Sequence, residues 1–209
     1  QYGSAKFDPL QFIPMQISRS RSFAKAQVLL VIYNSISSLS DPPLSKTQIS
    51  ELKNRSNNGE VPVEFWDKGQ YIICIQLEKT TSAKDLENAR NTGYKALALS
   101  NSKKATEVAV FSFLQNEDLN AAFLEGLALS SYRFNKHLTG EQDPSVKRVK
   151  LVQGTLSSKR LKELNTTTEA VCLARDLVNE PLNHLSAKQL AASAKKAGKK
   201  VGLKVEVLN

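Results

Sequence analysis

The stretch ARDLVNEPLNHLSAKQL, residues 174–190, joins two predicted helices, and the organisation of the whole chain depends on it. Upstream, from about residue 157, apolar residues mostly recur three or four positions apart, which predicts a helix. Pro181 must end that helix, since it lacks a backbone N–H and disfavours the α conformation for Glu180. Ser186, with a glutamine three residues later, has the capping-box pattern that begins a new helix.

The upstream helix is predicted to change character along its length. Its first half is rich in charged residues, whereas residues 170–178 are apolar almost all the way round. A helix that is apolar on every side is normally buried. We therefore expect the second half of this helix to leave one folded body and to be packed within another.

Ahead of this helix, strand patterns alternate with helix patterns. Predicted helices begin near Ser45, Ser82 and Glu117, and the second of them extends to about Lys103. The predicted strands are 12–18, 26–33, 61–66, 71–77, 108–114 and 146–152, with a further strand at 203–207. This alternation predicts an α/β domain with three layers, α-β-α, around a parallel or mixed sheet.

Two helical residues carry specific expectations. Tyr94 falls on the predicted buried face of the helix that starts at Ser82, together with Leu97. Gly126 lies within the next helix, whose apolar face extends to Phe134, and a glycine inside a helix costs about 1 kcal/mol. We interpret this glycine as a point of close packing against a neighbouring backbone.

The positive charge of the chain is unevenly distributed. The net charge is +9, and residues 145–165 and 186–209 each contain six Lys or Arg against one acid. A basic surface of this kind is a candidate for nucleic-acid or acidic-partner binding. Solvated helix faces are the simpler interpretation, because no aromatic residues alternate with these lysines to stack on bases. The candidate basic patch in the first segment consists of Lys147, Arg148, Lys150, Lys159, Arg160 and Lys162.

The sequence offers no recognisable catalytic or metal-binding motif. Cys74 and Cys172 have no CxxC spacing, so we interpret them as free buried thiols, for which a reducing cytoplasm is the default location. His137 and His184 belong to no HExxH or Cys/His cluster. No apolar run approaches the length of a membrane span. We therefore predict no catalytic residue, no metal ligand and no membrane contact in this chain.

Two stretches carry a specific pattern: residues 174–191, ARDLVNEPLNHLSAKQLA, and residues 125–137, EGLALSSYRFNKH. They resemble the linker NLxNxPxN…LA and the EG-x-L-x-x-Y-x-F helix of the leucyl (cytosol) aminopeptidase family of hexameric two-metal peptidases. Asn179, Pro181 and Asn183 match the linker motif, and we assign them a structural role. The two asparagine side chains are expected to bond backbone groups that the broken helix leaves free.

The resemblance implies a specific domain organisation. Residues 1–155 would form a non-catalytic, macro-domain-like α/β domain, residues 156–180 an interdomain linker helix, and residues 181–209 the beginning of a truncated catalytic domain. The catalytic residues and the two divalent metals, Zn or Mn, would lie beyond Asn209. The parent enzyme would release N-terminal amino acids from peptides as a cytoplasmic hexamer, and this chain alone would be inactive.

The alternative interpretation is a free-standing module that binds DNA or a nucleotide. The N-terminal domain of the resembled family is similar to the macro-domain fold, which suggests nucleotide binding as a possible function. However, the strand ends at residues 33–34 and 114–115 lack a glycine-rich phosphate loop. For DNA, the basic segments 147–162 and 188–204 are the candidates. Binding that weakens steeply with added salt would favour this interpretation.

Overall fold

The structure is a computed structural model that describes residues 15–40, 42–78, 82–139 and 145–208. Residues 12–14 of the predicted strand 12–18 lie outside these ranges.

Six strands form one mixed sheet. They are β1 (Gln16–Arg19), β2 (Val28–Tyr33), β3 (Val63–Asp67), β4 (Gln70–Gln76), β5 (Glu107–Ser112) and β6 (Arg148–Gln153). Their order is β1-β6-β5-β2-β4-β3, and every neighbouring pair is parallel except the β3–β4 hairpin. The predicted mixed sheet is confirmed.

The helices cover both faces of this sheet. They are α1 (Lys46–Asn57), α2 (Ala83–Ser102), α3 (Glu117–Leu129), α4 (Ser158–Asn179) and α5 (Ala187–Lys200). Buried residues of α2, α3 and α4 share one apolar cluster with the sheet, and α1 contributes Leu52 to the cluster on the opposite face. This confirms the three-layer α/β fold followed by a long helix. Of the helices in the described ranges, none has the length and apolar run that crossing a membrane requires.

Strand β2 lies inside the sheet, between β4 and β5. Because side chains alternate across a strand, Val28, Leu30 and Ile32 enter one apolar cluster. Leu29, Val31 and Tyr33 enter the other cluster, which includes residues of α1. The continuous apolar run in the sequence therefore reflects burial on both faces, as expected for a central parallel strand.

Local capping signals define the starts of two helices. The Ser45 N–H donates to Gln48 Oε1 over 2.8 Å at the start of α1. The Ser82 N–H donates to Asp85 Oδ2 over 3.1 Å at the start of α2. Each cap satisfies a backbone group that the first turn of a helix cannot pair.

Helices α2 and α3 approach each other so closely that glycine is needed on both. A Cβ atom added at Gly126 would overlap the backbone of Arg90, and one added at Gly93 would overlap the backbone carbonyl of Phe123. The close packing predicted for Gly126 is confirmed. Its cost in helix propensity is offset by the contact that it permits.

Both outer edges of the sheet are bonded by side chains from helices. Asn165 of α4 accepts the N–H of Ile17 over 3.1 Å and donates to its carbonyl over 2.9 Å. At the opposite edge, Arg55 of α1 donates from Nη1 to the carbonyl of Glu64 over 3.0 Å. At one residue of each edge strand, a helical side chain therefore makes the backbone hydrogen bonds that a neighbouring strand would otherwise make.

Two expectations for α2 and α3 are wrong. Tyr94 is 60% exposed, because the buried stripe of α2 runs through Ala89, Gly93 and Leu97, and the next residue after Gly93 points about 100° away. Helix α3 ends at Leu129, so the helical face does not extend to Phe134.

The end of the chain also differs from expectation. Residues 203–207 form no strand, since no other strand lies beside them in the described part of the chain, and Leu203 is 67% exposed. In the second half of α4, Cys172 is buried but Val178 is 84% exposed. The expected burial of this half on every side is therefore not seen in the described chain. Only one stripe of α4, which includes Cys172, is buried.

The α2–α3 contact gives a stability prediction. Gly126→Ala is expected to lower the free energy of unfolding by about 2 kcal/mol, because the added methyl group forces the two helices apart. Urea denaturation of both proteins measures the difference. Lys95→Ala, on the exposed face of α2, is the control and should change stability by less than about 0.5 kcal/mol. An unchanged or raised stability of the Gly126 variant would refute the close contact.

Candidate functional site

The break at Pro181 is a tight turn. Helix α4 ends at Asn179, and Glu180 already has extended backbone angles, with φ −70° and ψ 126°. The carbonyl of Pro181 then accepts the N–H groups of His184 over 2.8 Å and Leu185 over 3.0 Å. The predicted end of the helix is confirmed, and the chain reverses direction within a few residues.

After this turn, the chain continues into α5. The Ser186 N–H donates to Gln189 Oε1 over 2.6 Å, which confirms the predicted capping interaction. At the other end of α5, Lys200 bonds the carboxylate of Glu169 on α4. The end of α5 therefore lies beside the middle of α4.

A buried carboxylate, that of Glu180, lies at the end of α4 directly before Pro181. The side chain of Glu180 is only 2% exposed, and it accepts from Lys136 Nζ and from His137 Nε2, each over 2.9 Å. Burial alone would raise the pKa of Glu180, but the hydrogen bonds from these two donors outweigh it and hold that pKa below its ordinary value. Glu180 is therefore a paired, ionised group at neutral pH.

A second set of polar contacts joins the loop that follows α3 to the last turns of α4. The Tyr132 hydroxyl donates to Asp176 Oδ1 over 2.8 Å and accepts from Asn179 Nδ2 over 3.1 Å. Arg175 donates to the carbonyl of Leu129 over 2.9 Å. Burial raises the pKa of Asp176 above its ordinary value, although the bond from Tyr132 partly offsets that shift. Burial also raises the pKa of Tyr132.

The two histidines of the chain meet at the same place. The ring of His137 stacks on the ring of His184, with centroids 4.6 Å apart and an angle of 24° between planes. His137 follows α3 and His184 follows the break, so this stack links the α/β domain to the turn. We call the whole group the joint cluster: Tyr132, Lys136, His137, Asp176, Asn179, Glu180 and His184.

The joint cluster is suited to holding chain segments together. Its carboxylates and hydroxyl are bonded to one another or to nearby donors, and it contains no serine or cysteine nucleophile. Among the residues that the structure describes, no three His, Cys, Asp or Glu side chains are grouped so that they could hold a metal ion. The described residues therefore do not fit the two metals that the family resemblance implies, and we derive no catalytic step for them.

Sequence reasoning did not identify the joint cluster, although a signal was available. Residues 125–137 and residues 174–191 are the two stretches that resemble the aminopeptidase family, and the cluster consists of contacts between them. Neither stretch contains a recognised site motif, but the first ends on a lysine and a histidine and the second contains two acids. Opposite charges in two motif stretches were the signal for a contact.

The predicted linker residues occupy different environments. Asn179 bonds the Tyr132 hydroxyl, where a bond to the backbone was expected, because that hydroxyl reaches the last turn of α4. Pro181 follows Glu180, the residue that caps the end of α4, and Asn183 is exposed in the turn. The structural role of the motif as a whole stays a prediction.

The six residues of the candidate basic patch lie at two ends of the fold. Arg148 and Lys150 stand near the start of β6, and both bind the buried carboxylate of Glu107, at 3.1 and 2.7 Å. The hydrogen bond from Lys150 holds the pKa of Glu107 below its ordinary value. Arg160 lies beyond the end of β6, 3.8 Å from Asp118 at the start of α3. The remaining members, Lys147, Lys159 and Lys162, are exposed.

Comparison with known proteins agrees with the resemblance of the two motif stretches. A probable cytosol aminopeptidase of Clostridium perfringens is 31% identical over 153 residues, which are 68% of this chain and 31% of that protein. The chain is homologous to the cytosol aminopeptidases. A second relative of the same name, from Clostridium tetani, is 28% identical over 81% of the chain and 35% of its own length. No family model matches the chain.

Solved structures support the same fold. A mutant of tomato leucine aminopeptidase superimposes with a TM-score of 0.62 and 19% identity, over 90% of this chain and 43% of that one. At this identity the similarity shows the fold alone. The chain spans about a third of the length of the curated cytosol aminopeptidases that it matches.

The buried carboxylate of the joint cluster gives a second stability prediction. Glu180→Gln is expected to lower the free energy of unfolding by roughly 2 kcal/mol at pH 7, because charge-assisted bonds from Lys136 and His137 are lost. Denaturant unfolding measures this difference. Glu163→Gln, at an exposed position of α4, is the matched control.

The same variant has a predictable dependence on pH. A lowered pKa means that Glu180 stabilises the fold fully above the ordinary glutamate value of about 4.3. That contribution disappears as the pH falls through the lowered pKa, since both states are then protonated. The stability difference between the parent chain and Glu180→Gln should therefore shrink below this range. A difference that stays constant from pH 7 to pH 3 would contradict the ion pairs.

Proposed function

We propose that this chain is the non-catalytic N-terminal part of a cytosol-aminopeptidase-like enzyme, with a role in assembly or regulation. The parent enzyme releases N-terminal amino acids from peptides. The observation that carries the proposal is the contact between the two motif stretches, through which a loop of the α/β domain binds the end of α4. Such a contact would hold the linker helix against the α/β domain at the point where the chain passes to the next domain.

The proposed division of the chain follows the break at Pro181. Residues 1–155 are assigned to the α/β domain, residues 156–180 to the interdomain linker helix, and residues 181–209 to the beginning of the catalytic domain. The exposed apolar side chains of Val178 and Leu182, which are 84% and 83% exposed, support this division. Large apolar side chains grouped on a surface are typical of a face that another body covers.

The further properties of the parent enzyme follow from the resemblance. It is proposed to use two divalent metals, Zn or Mn, held by residues other than those described here. It is also proposed to act as a cytoplasmic hexamer on peptide substrates. In this arrangement the α/β domain supports assembly and limits access to the active sites.

The proposal predicts the activity of the isolated chain and of a chimera. The 209-residue chain, assayed with Mn²⁺ or Zn²⁺, is expected not to hydrolyse leucine amide, since its described residues hold no metal group. The Clostridium perfringens relative, with its matching segment replaced by this chain, is expected to hydrolyse leucine amide and to keep the oligomeric state of the unmodified relative. Release of leucine by the isolated chain would contradict the proposal. A folded chimera without activity and without assembly would contradict it equally.

The DNA-binding alternative receives less support from the geometry. Arg148 and Lys150 bind Glu107, and Arg160 lies at the opposite end of β6, so the six residues do not form one continuous basic track. We expect the chain to bind a random DNA duplex only weakly, as measured by fluorescence anisotropy at low salt. A protein that contacts six phosphates would lose about a thousandfold in affinity between 50 and 200 mM salt. Tight binding with that salt dependence would favour the alternative.

A further inference from the structure

We propose that the joint cluster is a positioning device, which fixes the direction in which the chain leaves α4 relative to the α/β domain. The loop after α3 contacts the chain on both sides of Pro181 at the same time. Before the break, Lys136 and His137 bind the buried carboxylate of Glu180. After the break, the ring of His137 stacks on His184. This inference does not depend on the activity of the parent enzyme.

His137 is central to the device because it takes part in both contacts. Its Nε2 is 2.9 Å from Glu180 Oε1, and its ring face lies against the ring of His184. The bond to Glu180 fixes the orientation of the imidazole, and the imidazole then offers a flat surface to the turn. The position of the turn therefore depends on a hydrogen bond formed one residue before Pro181.

Other attachments of the turn and of α5 are weaker. Pro181 ends the helical hydrogen-bond ladder, so the helix itself does not determine the direction of the next residues. Leu182 is 83% exposed and contributes little packing to the turn. The ion pair between Lys200 and Glu169 has side chains that are 55% and 44% exposed, and exposed pairs of this kind contribute little. The bonds of Glu180, whose side chain is only 2% exposed, are far better shielded from solvent than this ion pair.

The last turn of α4 is fixed by the same loop. Tyr132 binds both Asp176 and Asn179, which lie one helical turn and one residue before Glu180. Arg175 adds a bond to the carbonyl at the end of α3. These contacts keep the last turn of α4 against the loop, so that Glu180 is presented to Lys136 and His137. The device thus consists of a fixed helix end, a buried carboxylate and a stacked ring.

A distance measurement between α2 and α5 tests the inference. Spin labels on Lys95→Cys and Lys195→Cys, both at exposed positions, report the distance by double electron–electron resonance. The native cysteines, Cys74 and Cys172, are each 1% exposed and do not compete for the label. The labelled parent chain is expected to give one narrow distance distribution.

Variants of the device are compared with a control on the same helix. Glu180→Gln is expected to lose the narrow distribution and to give a broad one, and His184→Ala is expected to broaden it as well. Glu163→Gln, which removes an exposed carboxylate from α4, should leave the distribution as it is in the parent. Circular dichroism confirms that each variant is folded. If Glu180→Gln does not fold, Lys136→Gln and the exposed His184→Ala provide the same comparison.

Two results would overturn the inference. A broad distribution in the parent chain would show that the direction of α5 is not fixed. Distributions of parent width in all folded variants would show that another contact fixes it. In either case the hydrolysis and assembly of the chimera could still succeed, so failure of this inference is distinguishable from failure of the proposed function.

Discussion

Burial of β2 on both faces and both edges is the constraint on which the rest of the fold depends. All six of its residues are buried, and its backbone bonds β4 on one side and β5 on the other. A strand in this position needs an apolar layer above and below it. Parallel neighbours also require crossover connections, which here contain α1 and α2. The three layers are the consequence of placing this one strand in the middle.

The position of the joint cluster follows from this layered arrangement. Helices α2 and α3 pack against each other through Gly93 and Gly126 and bury apolar residues on the sheet. Helix α4 packs on the same face, where Leu161, Leu164 and Thr168 are buried. The loop after α3 is therefore brought beside the last turns of α4. The polar contacts of Tyr132, Lys136 and His137 become possible only because these apolar contacts have already set the distance.

Local signals in the sequence were sufficient for much of the fold. Capping residues such as Ser82, the proline after α4 and the apolar run of β2 each act within a few residues, so their effects are visible without a structure. The mixed sheet and its three layers followed from the alternation of those elements. Signals that need a distant partner were harder to interpret. Residues 203–207 alternate like a strand but have no neighbour to pair with in the described chain.

The joint cluster was missed for the same reason, because its only signal was opposite charge in two separate stretches. Glu180 and its partners Lys136 and His137 are 44 and 43 residues apart in the sequence. The sequence does not show which acid meets which base until the fold brings Glu180 beside Lys136 and His137. The two histidines show this most clearly, since they lie in separate stretches of the sequence and their stacking depends entirely on the fold.

The bonding of the sheet edges has a consequence for how copies of the protein meet one another. An edge strand normally offers unpaired N–H and C=O groups, and the pairing of such edges between molecules is a common route to aggregation. Here Asn165 occupies both backbone groups of Ile17 on β1, and Arg55 occupies the carbonyl of Glu64 on β3. Intermolecular strand pairing at either residue would first have to displace a helical side chain. The helix that leads to the joint thus also occupies backbone groups of β1 that would otherwise be open to a strand of another molecule.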